Sequence, residues 1–122
     1  MSAAADPAFQ PVHELAGQRP SLLVERYLAR IEKYGERLHA FVSVYADEAL
    51  RAAHAAEGAI AAGYRLGPLH GVPIAVKDIV DIEGRITTGG SKVWADRVSP
   101  VTATLVKRLV SAGMIVLGKT HT

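Results

Sequence analysis

The sequence contains no cysteine, which excludes disulfide bonds and thiol chemistry and is typical of cytoplasmic proteins. It also has no stretch that approaches the roughly 18 consecutive apolar residues that a membrane-spanning helix needs. Residues Met1 to Gln10 lack the positively charged start and the apolar centre of a secretory signal peptide. We therefore predict a soluble, cytoplasmic protein with no membrane partner.

An excess of charge of one sign is lacking as well. The chain has 14 Lys and Arg residues against 12 Asp and Glu residues, and the basic residues are scattered along it. A nucleic-acid-binding surface normally requires a basic patch, so we predict no nucleic-acid partner. The 5 histidines show no ligand spacing, and the sequence therefore indicates no metal site and no cofactor.

What the sequence does contain is one strongly patterned segment, Gly71-Val72-Pro73-Ile74-Ala75-Val76-Lys77-Asp78. The continuous apolar run from Val72 to Val76 is typical of a short strand that is buried on both faces, as in parallel sheets covered by helices. Proline donates no ladder hydrogen bond, so Pro73 fits best at the start of the strand. We therefore place the paired part of this strand at Ile74 to Lys77.

Lys77 is the candidate catalytic residue. In open α/β sheets the ligand crevice lies beyond the carboxyl ends of the strands, where Lys77 is expected, with its amine directed into a cleft. Desolvation disfavours the ammonium ion, and a neutral lysine can accept a proton. The alternative is that Lys77 marks the strand leaving the core and extends to solvent. Asp78 is not automatically its counter-ion, because successive strand side chains point to opposite faces.

The remaining elements follow from periodicity and capping signals, and they favour a β–α–β unit with a right-handed crossover. Residues Met1 to Pro11 are expected to be a loose leader. Helices are predicted at Val12 to Gln18, at about Ser21 to Tyr34 with Ser21 as the N-cap, at Asp47 to Ala62, and at about Thr102 to Ser111. Strands are predicted at Ala40 to Tyr45 and at Met114 to Leu117, and a loop at Asp78 to Gly90. Because the chain stops soon after a core strand, we expect it to be the front portion of a larger domain.

Residues 113 to 120 match the phosphate-binding pattern G-x-x-x-x-G-K-[ST]. That pattern binds phosphate only as a flexible loop after a strand and before a helix. Here Met, Ile, Val and Leu fill the interval and favour a strand, and a predicted helix precedes it. We therefore predict a strand and no nucleotide site.

Two further features near the central strand have alternative interpretations. The loop Thr87-Thr88-Gly89-Gly90-Ser91 could hold a nucleophilic serine or an oxyanion nest, but a serine nucleophile needs a nearby base, and a turn explains the same composition. His70 precedes the strand, and packing or a turn hydrogen bond is its expected role.

Taken together, these residues resemble the N-terminal part of amidase-signature enzymes. The resemblance covers most of the chain but only the front of the family's catalytic domain. The segments that match are Leu66-Gly67-Pro68-Leu69-His70-Gly71-Val72-Pro73-Ile74-Ala75-Val76-Lys77-Asp78, Thr87-Thr88, Val110-Ser111-Ala112-Gly113 and Leu117-Gly118-Lys119-Thr120. The resemblance implies an α/β/α domain with a mixed, largely parallel sheet covered by helices, of which residues 1–122 are an incomplete N-terminal portion.

The resemblance also implies an amidase-type hydrolase that cleaves carboxamide C–N bonds of a small-molecule substrate with a Ser–Ser–Lys triad. Lys77 corresponds to the triad lysine, whereas both serines belong to a segment after the Gly118-Lys119-Thr120 strand, and Ser91 lies too early to be either. The chain alone is then expected to be inactive. Two alternatives stay open: the A subunit of an aminoacyl-tRNA amidotransferase, and a non-catalytic fragment that acts by assembly with a complementing chain or a second copy.

Overall fold

The computed structural model describes residues 6–122, which form four α-helices and one three-stranded sheet. The helices are α1 (Val12–Leu15), α2 (Pro20–Leu38), α3 (Ala46–Ala61) and α4 (Thr104–Ser111). The strands are β1 (Phe41–Val44), β2 (Pro73–Lys77) and β3 (Ile115–Thr120), and short 3-10 turns occupy Pro7–Phe9 and Lys92–Trp94.

The sheet has the order β1-β3-β2, so the last strand in the sequence lies in the middle. Strand β2 pairs with β3 in parallel, as expected for two strands joined through a helix, whereas β1 pairs with β3 antiparallel. The prediction of a mixed α/β sheet is confirmed, and the described strands contribute one pairing of each kind. The parallel pairing brings the carboxyl ends of β2 and β3 side by side.

The main hydrophobic core lies between α2, α3 and β3. Small side chains on α3 let the helix approach the sheet closely, and larger apolar side chains from α2 and β3 fill the space between them. The buried members of this cluster are Val24, Ala49, Ala53, Ile115 and Leu117. The core therefore holds the central strand from one side and fixes the position at which β3 ends.

The expected loose leader needs a correction for the residues that the structure describes. Residues 1–5 lie outside the described range, but Pro7 is buried and its carbonyl accepts a hydrogen bond from the Tyr27 hydroxyl at 2.8 Å. Arg30 also pairs with Asp6 at 2.9 Å. Since these contacts join the segment to α2, residues 6–9 are docked rather than loose.

Helix α2 differs from its prediction at both ends. It begins at Pro20, so Ser21 lies within the first turn and is buried, and the N-cap is Arg19. It continues past Gly35 to Leu38, because a glycine without a turn requirement does not stop a helix, and His39 ends it in the left-handed conformation at φ 47°.

Residues 115–120 form a strand, which confirms the prediction against a phosphate-binding loop. The strand ends at Thr120, as the prediction for residues 113 to 120 has it, and three residues beyond the narrower range Met114 to Leu117. His70 is buried, and its Nδ1 accepts the Leu66 N–H at 3.1 Å, as expected for a turn hydrogen bond. Among residues 6–122, no helix is long and apolar enough to cross a membrane.

Candidate functional site

Lys77 is the last residue of β2, and its partner in the parallel pairing is Thr120 of β3. The predicted position at the carboxyl end of a parallel strand is therefore confirmed. The side chain itself is exposed and makes no hydrogen bond or ion pair with any residue in the range 6–122. The expected enclosure of the amine in a cleft is thus not provided by the described part of the chain.

Asp78 turns the opposite way from Lys77. Its side chain is only 2% exposed and forms an ion pair with Lys119, whose Nζ lies 3.2 Å from Oδ1 of Asp78. The alternation of strand side chains explains why two adjacent residues have such different surroundings. Asp78 is therefore the counter-ion of Lys119 and not of Lys77.

Lys119 is fully buried and donates a second hydrogen bond to Oγ1 of Thr87 at 3.1 Å. Both acceptors are themselves buried, so two of the three N–H donors of the ammonium group have partners within the protein. The role of this lysine was not predicted, because the Gly-Lys-Thr segment was considered only as a phosphate-binding pattern, as a strand and as part of the family resemblance, with no partner assigned to Lys119. The available signal was a lysine inside a predicted core strand, which requires a buried acidic partner.

The loop after Thr87 is attached to Asp78. Oδ2 of Asp78 accepts both the Thr88 N–H, at 3.3 Å, and the Thr88 hydroxyl, and the Asp78 carbonyl accepts the Gly89 N–H at 2.8 Å. The Gly90 N–H donates to Oγ1 of Thr88 at 3.0 Å. Because the N–H groups of both glycines are used inside the loop, the structure favours the turn over the oxyanion nest.

Ser91 has a structural role in the described chain. Its Oγ accepts the Val93 N–H at 3.2 Å and caps the 3-10 turn Lys92–Trp94. No base contacts it among residues 6–122. The turn explanation for this segment is therefore the one that the geometry supports.

A small cavity of about 300 Å³ lies beside this loop and is open to solvent. An ion pair between Arg97 and Asp81 forms one wall, with Nη1 of Arg97 2.8 Å from Oδ1 of Asp81. Hydrogen bonding from Arg97 lowers the pKa of Asp81 from 3.8 to about 2. The lining residues are Ile79, Asp81, Thr87, Thr88, Gly89, Trp94 and Arg97. Within the range 6–122, no cluster of His, Asp or Glu has the composition of a metal site.

The family model described as Amidase matches residues 22–122. The chain belongs to the amidase family. Its relatives include the A subunit of the glutamyl-tRNA(Gln) amidotransferase of Salinispora tropica, 46% identical over 99 residues that cover 81% of this chain and 20% of that protein. The corresponding amidotransferase protein of Aromatoleum aromaticum, which has the same name, is 48% identical over the same share of each chain.

Solved structures of the family show the same fold. The native peptide amidase of Stenotrophomonas maltophilia is 32% identical, with a TM-score of 0.82 over 93% of this chain and 25% of that chain. A fatty acid amide hydrolase, at 20% identity and a TM-score of 0.82, supports the fold alone. This chain thus spans about a fifth of the curated relatives and a quarter of the solved amidase. Both the resemblance to amidase-signature enzymes and the α/β fold class are confirmed.

Proposed function

We propose that this chain is the lysine-bearing N-terminal portion of an amidase-family hydrolase that cleaves carboxamide C–N bonds, with Lys77 as the base of a Ser–Ser–Lys triad. The observation that carries the proposal is the placement of Lys77. Lys77 is the last residue of β2, and the parallel pairing with β3 holds its backbone in place. Its amine is exposed and has no partner among residues 6–122, so it remains available to groups from outside that range.

In the proposed mechanism, neutral Lys77 accepts the proton of a bridging serine, which in turn accepts the proton of a nucleophilic serine. The nucleophilic oxygen attacks the amide carbonyl, and the C–N bond breaks as the leaving nitrogen receives a proton back through the same relay. Water then hydrolyses the acyl-enzyme with the roles of base and acid repeated. Lysine suits this role only when its surroundings favour the neutral amine, which further parts of the domain would have to provide.

The proposed mechanism implies that the chain of 122 residues is inactive by itself. Both proposed serines lie in a segment that the family places after the Gly118–Thr120 part of β3, so the chain contributes one triad member out of three. Nucleophile, relay and base act as one unit, and loss of members of such a unit removes nearly all covalent catalysis. We infer that the chain alone hydrolyses no amide.

A second candidate is the A subunit of an aminoacyl-tRNA amidotransferase. It is favoured by the sequence identity of 46% to 48% with glutamyl-tRNA(Gln) amidotransferase proteins, against 32% with the peptide amidase. The same lysine would then act in a protein that works on glutamyl-tRNA(Gln) together with other chains. A non-catalytic fragment that acts through a complementing chain is a third candidate, and the absence of activity in every completed version would favour it.

The test compares three purified proteins against simple aryl and aliphatic amides: the 122-residue chain, a full-length amidase domain that begins with these residues and includes both serines, and the full-length Lys77→Ala variant. We expect turnover only in the unmodified full-length protein. Lys107→Ala, at an exposed lysine on α4, is the control and should retain full activity. Turnover by the short chain, or an active Lys77→Ala enzyme, would contradict the assignment. Transfer of nitrogen from an added amide donor to glutamyl-tRNA(Gln), without hydrolysis of simple amides, would favour the amidotransferase.

A further inference from the structure

Asp78 connects three separate segments at the end of β2. Its N–H donates to the Thr120 carbonyl at 3.0 Å, and its carbonyl accepts the Gly89 N–H at 2.8 Å. Its carboxylate accepts Lys119 through Oδ1 and the backbone and hydroxyl of Thr88 through Oδ2. The residue that follows Lys77 is thus bonded on its backbone and its side chain to β3 and to the loop 87–90.

The ion pair within this network is buried on both sides, with Lys119 0% and Asp78 2% exposed. Removing two charges from water costs free energy that their attraction only partly repays, and apolar side chains of similar volume often stabilise a fold as well. Stability alone therefore does not explain a charged pair here. The charged pair also fixes the relative positions of the segments that it joins, because Lys119 donates directional hydrogen bonds to Asp78 and Thr87. An apolar pair would pack in the same space without such bonds.

Lys77 has no such restraint on its own side chain within residues 6–122, so its position depends on its backbone. That backbone is held by the parallel pairing with Thr120 and by the bonds of the next residue. Lys119 cannot take the place of Lys77 as the base, because it is sealed from solvent and donates to a carboxylate.

We propose that Asp78 and Lys119 form a positioning pair for Lys77, with Thr87 as the second acceptor that orients the buried ammonium group. The pair sets where β2 ends relative to the loop 87–90 and thereby where the Lys77 amine emerges. The inference rests on the proposed role of Lys77, but the pair itself can be tested without any turnover.

The experiment uses the 122-residue chain labelled with ¹³C and ¹⁵N on lysine and glycine. Amide exchange of Gly89 and the side-chain NMR signals of Lys77 report on the proposed restraint. The internal reference is the exchange of Gly84, which lies outside the loop 87–90 and whose N–H donates to the Ser99 carbonyl at 2.9 Å. In Lys119→Met the buried carboxylate of Asp78 loses its charged partner, which weakens the position of the Asp78 carbonyl that accepts the Gly89 N–H. We expect the amide of Gly89 to exchange about tenfold faster and that of Gly84 to be unchanged. Lys107→Met, on the exposed face of α4, is the matched control and should change neither.

The double variant Asp78→Leu with Lys119→Met separates positioning from stability. We expect it to recover resistance to urea relative to Lys119→Met alone. It should keep the fast exchange at Gly89, and in both variants the Lys77 side-chain signals should be shifted from those of the unmodified chain. If the Gly89 exchange rate and the Lys77 signals of this variant returned to those of the unmodified chain, the pair would contribute only packing volume to the core, and the proposal would be overturned.

Should the variants at Lys119 fail to fold, Thr87→Val and Thr87→Ser decide the question. Valine has the shape of threonine without the hydroxyl that accepts from Lys119, whereas serine keeps it. We expect faster Gly89 exchange and shifted Lys77 signals in Thr87→Val, and rescue of both in Thr87→Ser. Equal behaviour of the two variants would contradict the proposal. In a full-length domain, Thr87→Val should lower kcat with KM nearly unchanged, a result that can fail while the Lys77→Ala result stands.

Discussion

Gly118 of β3 lies directly against the backbone of Ser43 in the neighbouring strand β1. A Cβ atom added at Gly118 would come within 3.0 Å of both the Ser43 carbonyl carbon and the Cα of Val44, and closer still to the Ser43 oxygen. Real Cβ atoms essentially never approach backbone atoms this closely. Only glycine therefore allows β1 and β3 to pair at this point of the sheet.

We predict that Gly118→Ala destabilises the chain by about 1–3 kcal/mol, the range for side chains forced into a packed core. The neighbouring atoms belong to the backbone of β1, so they cannot move aside as a flexible side chain could. Urea unfolding followed by far-UV circular dichroism measures the free energy directly.

Gly58→Ala is the matched control, with the opposite sign expected. Gly58 lies inside α3, and an added Cβ would meet no atom within 4 Å. Alanine in a helix interior is favoured over glycine by about 0.5–1 kcal/mol, so this variant should be more stable than the parent. Equal effects of the two substitutions would show that the Gly118 environment is not as restrictive as the structure indicates.

A second prediction concerns two glycines with a positive φ. Gly63 and Gly113 have φ values of 89° and 93°, but only at Gly113 would a Cβ meet another group, the Cα of His70 at 2.9 Å. Gly63→Ala should therefore cost only the conformational strain of about 1–2 kcal/mol, and Gly113→Ala should cost clearly more. The unfolding free energies of both variants test this, and a loss at Gly63 as large as at Gly113 would contradict it.

Much of the architecture is predictable because it depends on local patterns. The apolar run ending in Lys77, the helical spacing of α3 and the apolar filling of residues 113–120 each specify their element within a few residues. The predicted N-cap of α2 is two residues late, since Ser21 resembles an N-cap but is buried in the first turn, and the observed N-cap is Arg19. The predicted end of α2 at Tyr34 is four residues early. Gly35 keeps the helical conformation and no neighbouring group crowds it, so the helix continues to Leu38.

The buried pair of Asp78 and Lys119 could not be predicted in the same way. The residues are 41 positions apart, and they meet only because β2 and β3 pair in parallel with a register shift between Ile74 and Ala75. A shift of one residue changes which face a side chain occupies, and no sequence pattern specified it. The exposure of Lys77 agrees with the alternative interpretation, in which its side chain extends to solvent. The sequence could not decide between the two interpretations, because the outcome depends on which residues cover the strand end.

A third prediction concerns how α2 begins. Its N-cap residue, Arg19, makes no side-chain capping bond, and the carboxylate of Glu57 on α3 instead accepts the Ser21 N–H at 2.7 Å. The hydrogen bond from Ser21, aided by Arg19, holds the pKa of Glu57 below its usual 4.5. The stabilising contribution is therefore complete at neutral pH and is lost as the pH falls below that value.

We accordingly expect Glu57→Gln to lower the unfolding free energy at pH 7 by about 0.3–1 kcal/mol, because glutamine keeps an acceptor oxygen but loses the negative charge that favours a helix N-terminus. The difference from the parent should shrink as the pH falls below 4.5 and through the lowered pKa of Glu57, because the carboxyl group then becomes protonated in the folded chain as well. Glu25→Gln, at an exposed position on α2, is the control and should have little effect throughout this pH range. A Glu57→Gln effect that does not change with pH would argue against the charged cap.

The last prediction concerns the ion pair between Asp81 and Arg97 beside the loop 87–90. The guanidinium contacts both carboxylate oxygens, at 2.8 and 3.3 Å, and it holds the pKa of Asp81 at about 2 against an ordinary value of 3.8. Because the folded-state pKa is the lower one, the pair contributes stability that is complete above the ordinary value. That contribution disappears as the pH falls from about 4 to about 2. Asp81→Asn should therefore lose less stability than the parent chain over this interval.

A direct measurement is the NMR titration of the Asp81 carboxyl carbon, for which we expect a midpoint of about 2. Arg97→Met keeps much of the aliphatic length but removes the charge, so the midpoint should rise towards 3.8. Arg97→Lys keeps the charge but loses the two-pronged geometry, and it should give an intermediate midpoint. Arg37→Met, at an exposed arginine near the end of α2, should leave the Asp81 titration unchanged. A parent midpoint near 3.8, or one that Arg97→Met does not shift, would contradict the ion pair as the cause of the lowered pKa of Asp81.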